Sequence, residues 1–312
     1  MSRIALASLL DGSTPFITDG GMETTLIFLD GLDLPSFAAF PLVDDAAGRQ
    51  TLARYFQPYF GIAERDGVGM VVDTPTYRAN PDWAALVGYE GDALAGVQTR
   101  SVEFARAIAA DHDGVPTVLN GLIGQRGDGY VINNAMSASE AADYHLPQVR
   151  VFSEAGVDMV LAATMSYVEE AIGIAEASAS VGVPVVISFT LETDGRLPSG
   201  QSLGEAIEAT DRETDSGPAY YMINCAHPSH FQHVLDGGSG WLKRIGSIRA
   251  NASRMSHAEL DNADALDRGD PEALASDYIA LRSVLSGLRV VGGCCGTDHE
   301  HVSRISAGLH GH

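Results

Sequence analysis

The sequence predicts a single-domain (β/α)8 barrel, or TIM barrel, over residues 1–312. Eight short apolar runs recur along the chain, and each is followed by a polar or glycine-containing turn and a helix-like stretch. The runs are nearly continuous and do not alternate with polar residues, which is typical of parallel strands buried on both faces. Eight βα units in 312 residues match the size of such a barrel.

The strand candidates are the most regular feature of the chain, and all eight are rich in apolar and β-branched residues. In order they are "FITDGG" (16–21), "GMVVDTPTY" (69–77), "TVLNGLIG" (117–124), "VDMVLAATM" (157–165), "PVVISFTLE" (184–192), "YYMINCAHP" (220–228), "IGSIRANAS" (245–253) and "LRVVGGCCG" (288–296).

Amphipathic stretches between the runs predict helices. Two examples are "ASEAADYHLPQVRVFSEAG" (138–156) and "PEALASDYIALRSVLSGL" (271–288). Pro271 follows Asp270 at a position suited to the first residue of a helix. Two polar segments, 208–217 after strand five and 251–260 after strand seven, are expected to be solvated loops, although they are placed where they could close over a site.

A doubly wound open sheet is the structural alternative to the barrel. The chain has no Gly-x-Gly-x-x-Gly sequence after its first strand, which counts against a dinucleotide-binding fold of that kind. No low-complexity linker divides the sequence. One barrel domain is therefore the better prediction.

The charge balance is strongly acidic, with 19 basic and 41 acidic residues and a formal net charge of −22. Lys243 is the single lysine. Such a surface repels nucleic acid and anionic membranes, and we exclude both as main partners. The acidity either adapts the protein to a salty cytoplasm or helps to attract a cationic small molecule. The spread of acidic residues along the whole chain favours the first explanation.

The cysteine content points to a reducing compartment, because three cysteines are too few for a disulfide framework. The apolar patch near the start of "MSRIALASLLDGSTPF" is too short for a signal peptide, and no apolar run approaches the length of a membrane span. We therefore expect a cytoplasmic protein. The sequence leaves the oligomeric state undetermined.

The three cysteines all lie at predicted strand ends. Cys225 ends strand six, and the adjacent Cys294 and Cys295 end strand eight between glycines. Successive side chains of a strand point to opposite faces, so the adjacent sulfurs converge only where the backbone leaves the strand, as glycine permits. The sequence therefore predicts one metal site at the carboxyl rim of the barrel. Three histidines near these cysteines in sequence are expected to stay outside it: His227, His299 and His301.

Three thiolates match the preference of zinc for soft ligands, and they leave a fourth position open for substrate. The resulting centre carries a net negative charge, so it suits hydrolysis poorly. A substrate thiol would lose its proton there and stay nucleophilic, which predicts attack on a cationic alkyl donor. A protein of a different functional class is the alternative: a non-catalytic redox or metal sensor in which Cys294 and Cys295 form a reversible disulfide.

These motifs resemble the zinc-dependent homocysteine S-methyltransferase family, which includes betaine– and S-methylmethionine–homocysteine methyltransferases. The resemblance covers nearly the whole chain and implies the same barrel fold. The segments that carry it are "ITDGGMETTL" (17–26), "NGLIG" (120–124), "ISFTLETDGRLPSG" (187–200), "INCAHPSHF" (223–231) and "GGCCGTDHEHV" (292–302).

The resemblance implies that Cys225, Cys294 and Cys295 bind Zn²⁺ and carry the catalysis. It also implies that Asp19 and Gly20, after strand one, help to hold the amino-acid part of the thiol substrate. Thr164 and Asn224 complete the expected substrate contacts. The expected reaction is transfer of a methyl group from a small cationic donor to homocysteine, which gives methionine.

Two departures from the family pattern concern the acceptor. Ala163 stands before Thr164 where the family normally has a glutamate that binds the homocysteine ammonium, and Glu23 stands where a small residue is usual. Glu23 is expected to replace the missing carboxylate. The alternative is an acceptor other than homocysteine, such as another thiol or a selenol. Leu122 and Gln125 also replace the serine and proline that are common in the third-strand motif.

The methyl donor is predicted less directly. Tyr77, after strand two, is placed where its ring could face a sulfonium or trimethylammonium group. Packing at the barrel mouth would explain the same tyrosine equally well. The aromatic set of a betaine cage is not recognisable, so S-methylmethionine or S-adenosylmethionine is the preferred donor class.

Overall fold

A computed structural model of the chain describes residues 2–235, 238–263 and 265–311. Within these ranges, eight parallel strands form a closed barrel in sequence order. The predicted (β/α)8 barrel is confirmed. The strands are β1 (Phe16–Ile17), β2 (Gly69–Asp73), β3 (Thr117–Gly124), β4 (Met159–Met165), β5 (Val185–Phe189), β6 (Tyr220–Asn224), β7 (Ile245–Ala250) and β8 (Val290–Gly293).

Helices connect the strands and surround the barrel. They are α1 (Ser2–Asp11), α2 (Met22–Thr24), α3 (Ala46–Asp66), α4 (Pro81–Ala85), α5 (Gly91–Ala110), α6 (Ala138–Ala155), α7 (Val168–Val181), α8 (Leu203–Glu213), α9 (Pro228–Phe231), α10 (His257–Asp261), α11 (Pro271–Val284) and α12 (His299–His310). Short 3-10 or π turns occupy Thr25–Leu29, Pro35–Phe37, Phe40–Asp44, Gln232–Val234 and Gly240–Arg244.

The barrel closes where its first and last strands meet. Phe16 pairs with Val290 and Ile17 with Val291, in parallel. The regular part of β1 is thus much shorter than the predicted run 16–21, because the residues after Ile17 leave the ladder and enter the rim loop. Residues near both ends of the sequence consequently meet at one edge of the carboxyl rim.

The core has two layers. Side chains inside the barrel form one cluster, which includes Phe16, Val118, Tyr220 and Val290. Leu9 of α1 belongs to the same cluster, so this helix covers the amino-terminal end of the barrel. A larger cluster fills the space between the strands and the surrounding helices. The open end of the barrel is therefore the carboxyl end.

The segment 208–217 corrects a prediction. Its first six residues belong to α8 and are not a loop. Glu208, Arg212 and Glu213 lie on the solvated face of that helix, whereas Thr210 is buried. Ser202 and Glu205 cap its amino end reciprocally. The capping pair is the sequence signal that identifies this helix.

The described helices carry no membrane-crossing segment, since none combines sufficient length with sufficient hydropathy.

Candidate metal centre and active site

A cavity of about 400 Å³ opens at the carboxyl ends of the strands. Its wall comes from residues at or after the ends of seven strands, β5 being the exception among the strands described. Barrels of this type place their active sites at this end. The cavity is therefore the candidate active site.

All three cysteines of the chain lie in the cavity wall. Their Sγ atoms lie within 4.8 Å of one another, and no other group of three or more potential ligand side chains in the described ranges is arranged this way. Cys225 and Cys294 are joined as a disulfide. The structure thus pairs Cys294 with Cys225 and not with the adjacent Cys295, the pair that the sensor interpretation expects.

The glycines beside the cysteines allow the first and eighth rim loops to touch. A Cβ atom on Gly21 would lie 2.6 Å from the carbonyl oxygen of Cys294, and one on Gly20 would lie 2.7 Å from that of Thr297. A Cβ atom on Gly293 would overlap the side chain of Thr297. Larger residues would therefore push the cysteine-bearing loop away from the cavity.

The side chain of Asn224 holds Cys225 in place. Its Nδ2 donates to Cys225 Sγ at 3.3 Å and to Thr164 Oγ1 at 2.8 Å. Its Oδ1 accepts bonds from the Thr164 backbone N–H and the Ser188 hydroxyl. These four bonds use the full capacity of an amide side chain, so in this structure Asn224 is bonded within the protein, and its expected contact with substrate stays a prediction.

Cys225 and Thr164 share an unusual backbone conformation. Their φ angles are +54° and +64°, in the left-handed region that non-glycine residues seldom adopt. The Cys225 N–H donates to the Arg249 carbonyl at 3.1 Å, which helps to maintain this turn. Backbone strain of this kind collects at functional sites. Here it turns the cysteine toward the cavity at the end of β6.

A buried ionic cluster lies beneath the cysteines. Arg249 of β7 contacts Asp19 at 2.6 Å and also bonds to Asp73. Its Nε donates to the carbonyl of Gly293, just before the adjacent cysteines. Tyr55 donates to the other oxygen of Asp19 at 2.9 Å. Both oxygens of Asp19 are therefore bonded within the protein, and the cluster ties β1, β2 and β7 together.

Burial raises the pKa of Asp19 to about 6, and the nearby Asp73 adds to this effect while Arg249 opposes it. The cluster contains two carboxylates and one guanidinium, so it contributes net negative charge below the cavity when both acids are ionised. A cationic ligand is favoured at such a place.

Glu23 of α2 lies in the cavity wall and is partly buried. Burial raises the pKa of its carboxyl group to about 7, and Asp19 contributes in the same direction. No arginine or histidine in the described ranges forms an ion pair with it. Ala163 lines the same cavity. The cavity thus contains a carboxylate, although α2 supplies it and β4 does not.

Tyr77 also lies in the wall, and its hydroxyl donates to Gln125 Oε1 at 3.2 Å. The guanidinium of Arg78 is 5.0 Å from the centre of the Tyr77 ring, so one cation already lies near this ring. Leu122 faces the cavity, whereas Gln125 is buried behind Tyr77. The two departures in the third-strand motif thus have different roles.

Of the three histidines expected outside the metal site, His227 and His301 have structural hydrogen bonds. His227 accepts a bond from the Ser229 N–H at the start of α9, and burial lowers its pKa to about 4. His301 is bonded to Asp298 at 2.8 Å within the first turn of α12, which His299 begins. None belongs to the sulfur group in the described ranges.

The segment 251–260 is part of the site, so the expectation of a solvated loop is wrong there. It contains the start of α10 and contributes four residues to the cavity wall. His257 places Nε2 2.6 Å from the Cys225 carbonyl and Nδ1 3.1 Å from Glu192. Its ring stacks on Tyr130 at 3.6 Å. The only sequence signal that this segment would line the cavity was its position directly after strand seven.

The cysteine set fits a thiophilic metal ion. Zinc bonded to sulfur at about 2.3 Å in a tetrahedral arrangement separates its ligand sulfurs by roughly 3.8 Å. The three Sγ atoms converge within 4.8 Å, so small side-chain adjustments bring them to that separation. In the disulfide form two of these sulfurs are bonded to each other, so reduction must precede metal binding.

The fold and the site together define a barrel protein with a candidate thiolate metal centre at its carboxyl rim. The chain belongs to the homocysteine S-methyltransferase family, because the model of the family described as "Homocysteine S-methyltransferase" matches residues 16–309.

Individual relatives are distant. Homocysteine S-methyltransferase 1 of Arabidopsis thaliana is 24% identical over 180 residues, covering 56% of this chain and 53% of the relative. Betaine–homocysteine S-methyltransferase 1 of Rattus norvegicus is 26% identical over 259 residues, covering 77% of this chain and 60% of the relative. The chain thus spans little more than half the length of the curated relatives it matches.

Solved structures share the fold. The oxidised form of the homocysteine methyltransferase MmuM from Escherichia coli superposes with a TM-score of 0.75 at 21% identity, covering 97% of this chain and 99% of that one. The metallated form gives a TM-score of 0.72 with the same coverage. Similarity at this level of identity supports the barrel fold.

Proposed function

We propose that this chain transfers a methyl group from a cationic donor to the thiolate of homocysteine, giving methionine. The donor is of the S-methylmethionine or S-adenosylmethionine class. The observation that carries the proposal is the group of three cysteine sulfurs within 4.8 Å of one another in the wall of the rim cavity. Membership in the family over residues 16–309 supports it, as do the names of the relatives.

We assign Zn²⁺ to Cys225, Cys294 and Cys295 in their reduced form, because cysteine thiolates are soft ligands that zinc prefers. Zinc bound there supplies the positive charge that keeps an acceptor thiol ionised near neutral pH. Asn224 orients Cys225, and the glycine contacts of the first loop hold Cys294 and Cys295 against the cavity.

The charges of the cavity favour a cationic donor. The wall contains two arginines, of which Arg249 is neutralised inside the buried cluster. It contains five carboxylate residues, which are Asp19, Glu23, Asp73, Asp128 and Asp267. During transfer the donor's sulfur–methyl bond breaks as the acceptor's forms, and the donor leaves as a neutral thioether. A cavity that excludes water favours a step in which charge is neutralised.

The proposal is tested by measuring zinc in protein purified under reducing conditions without added metal, and then methionine formation from homocysteine and S-methylmethionine. We expect zinc near one equivalent per chain and methionine as product. Zinc without methionine, when S-adenosylmethionine has also been tried as donor, would refute homocysteine as acceptor and favour another thiol or a selenol, which the neutral Ala163 in the cavity wall permits. Absence of zinc would refute the metal assignment.

Asn224→Ala is expected to weaken zinc binding about 10- to 100-fold, because groups that orient metal ligands contribute at that level. The measurement is competition with a chromophoric chelator. Asn120→Ala is the matched control, since Asn120 is a buried amide bonded to Asp73 and not to a cysteine. Equal zinc affinity of the two variants would contradict the role of Asn224.

Glu23→Gln is expected to weaken methionine binding about 10- to 100-fold at pH 8, the effect of losing one charged hydrogen bond to the ligand ammonium. The wild-type carboxyl, with a pKa raised to about 7, is protonated below that pH. Wild-type affinity should therefore fall as the pH is lowered from 8 to 6, and the variant's should not. Calorimetry measures both, with Glu208→Gln, an exposed carboxylate of α8 outside the cavity wall, as the control. An unchanged affinity in Glu23→Gln would show that Glu23 does not replace the missing glutamate.

A further inference from the structure

Arg78 differs from the other arginine of the cavity wall. Arg249 is bonded to two carboxylates, whereas Arg78 forms no ion pair with an acidic residue in the described part of the chain. Its Nη1 donates to the carbonyl of Gly127 at 3.3 Å, and its Nε is buried without a hydrogen-bond partner in the same ranges. A buried donor without a partner is costly. The charge of this guanidinium is therefore not balanced by a carboxylate in the described part of the chain, and Arg78 lines the cavity.

The guanidinium of Arg78 is held by aromatic rings. It lies 3.8 Å from the centre of the Trp83 ring and 5.0 Å from that of Tyr77. Trp83 is itself anchored, because its Nε1 donates to the Gly127 carbonyl at 3.1 Å. Stacking fixes the plane of a guanidinium and leaves its N–H edges available for in-plane bonds to a carboxylate.

Glu23 lines the same cavity and is close enough for the charge of Arg78 to lower the pKa of its carboxyl group, against the larger effect of burial. The two side chains are not bonded to each other within the described residues. Glu23 and Arg78 therefore present to the cavity a carboxylate and a guanidinium that are not bonded to each other. A free amino acid carries the complementary pair of charges on its α-carbon.

We propose that Arg78 binds the α-carboxylate of an amino-acid substrate while Glu23 binds its ammonium group. The proposal rests on the function proposed above and specifies its substrate class: free amino acids with an unmodified carboxylate, and not their esters, amides or decarboxylated amines. Both homocysteine and S-methylmethionine carry this carboxylate, so either the acceptor or the donor could supply it.

The test is calorimetric titration of the reduced, zinc-loaded protein with methionine and with methylthiopropylamine, which lacks the carboxylate. We expect the wild type to bind methionine about 10- to 100-fold more tightly than the amine, the effect of a charged hydrogen-bonded pair. Arg78→Gln should remove this preference and leave amine binding unchanged. Arg78→Lys should keep part of the preference for methionine, because lysine retains the positive charge but lacks the planar guanidinium that binds a carboxylate through two N–H groups.

Arg126→Gln is the matched control, because Arg126 stacks on Tyr144 and pairs with Asp82 outside the cavity. It should keep the full preference for methionine. If Arg78→Gln weakens methionine and the amine equally, Arg78 has only a structural role and the proposal is refuted. Loss of preference in Arg126→Gln as well would also refute it, since a general change in charge would then explain the effect.

Michaelis constants of Arg78→Gln distinguish the two sources of the carboxylate. A rise confined to homocysteine assigns the contact to the acceptor, and a rise confined to S-methylmethionine assigns it to the donor. Carboxylate-dependent binding in a protein that forms no methionine would overturn the proposed reaction and support Arg78. Methionine formation together with an unchanged preference of Arg78→Gln for methionine over the amine would support the proposed reaction and refute the role of Arg78.

Discussion

Replacing any one of the three cysteines with serine is expected to remove bound zinc and methyl transfer together. Zinc binds thiolate sites with about 10–16 kcal/mol of apparent free energy, so each of four ligands contributes roughly 2.5–4 kcal/mol, or about 60- to 700-fold in affinity. The expected losses are similar at Cys225, Cys294 and Cys295 because their sulfurs form one compact group. Metal analysis and methionine assays on the same samples measure both effects.

Ser247→Ala is a suitable control for the cysteine variants, because Ser247 is a buried β7 hydroxyl without a hydrogen-bond partner in the described ranges. It should retain zinc and activity. A single cysteine variant that keeps stoichiometric zinc under competition with a chelator would remove that residue from the ligand set. Retained activity without zinc would contradict the proposed chemistry as a whole.

Replacing Arg249 with methionine is expected to destabilise the protein by about 3–5 kcal/mol at pH 7, because removing one partner of a buried ion pair leaves uncompensated charge. Arg249 bridges Asp19 and Asp73, and all three side chains are buried or nearly so. Chemical denaturation followed by circular dichroism measures the change. Loss of the bond to the Gly293 carbonyl should also loosen the loop that carries the adjacent cysteines.

The pH dependence of this effect has a definite sign. The pKa of Asp19 is already raised from 3.8 to about 6 by burial with the arginine in place, and removing the arginine raises it further. An acid with a raised pKa in the folded state costs stability as pH rises from its unfolded to its folded value. The destabilisation by Arg249→Met should therefore be smaller at pH 5 than at pH 8.

Arg244→Met provides the comparison for Arg249→Met. Arg244 pairs with Asp211 at 2.8 Å outside the cavity, and its side chain is 28% exposed. A partly exposed pair of this kind contributes about 1 kcal/mol or less. Equal destabilisation by the two variants would show that the buried cluster does not control stability. An effect of Arg249→Met that is constant from pH 5 to pH 8 would show the same, because the predicted pH dependence would then be absent.

The fold was predictable because parallel barrel strands are buried on both faces and therefore form continuous apolar runs. All eight runs contain a strand of the barrel. Their ends were not predictable in the same way. In the run 16–21 only Phe16–Ile17 pairs as β1, because residues that line the rim are buried without joining the ladder. Burial, and not pairing, sets the length of an apolar run.

The site was predictable where the residue type restricts the chemistry. Cysteine is rare in this chain, and its three copies fall at strand ends, so their convergence followed from the barrel topology. Arg249, Arg78 and His257 were missed because arginine and histidine occur in many settings. For Arg249 a signal existed: an arginine within the apolar run 245–253 requires a buried acid, and runs 16–21 and 69–77 each contain an aspartate.

The wide separation of the proposed metal ligands along the chain has a consequence for synthesis. Cys225 and Cys294 are 69 residues apart, which corresponds to about 3–14 s of translation at roughly 5–20 residues per second. Cys294 reaches its place only when the last strand docks beside the first and its loop settles on Gly21. A nascent chain on the ribosome consequently lacks two of the three thiols for several seconds. Metal uptake in the cell is therefore expected to follow translation of the last strand. Only chains whose barrel has closed are expected to bind the metal.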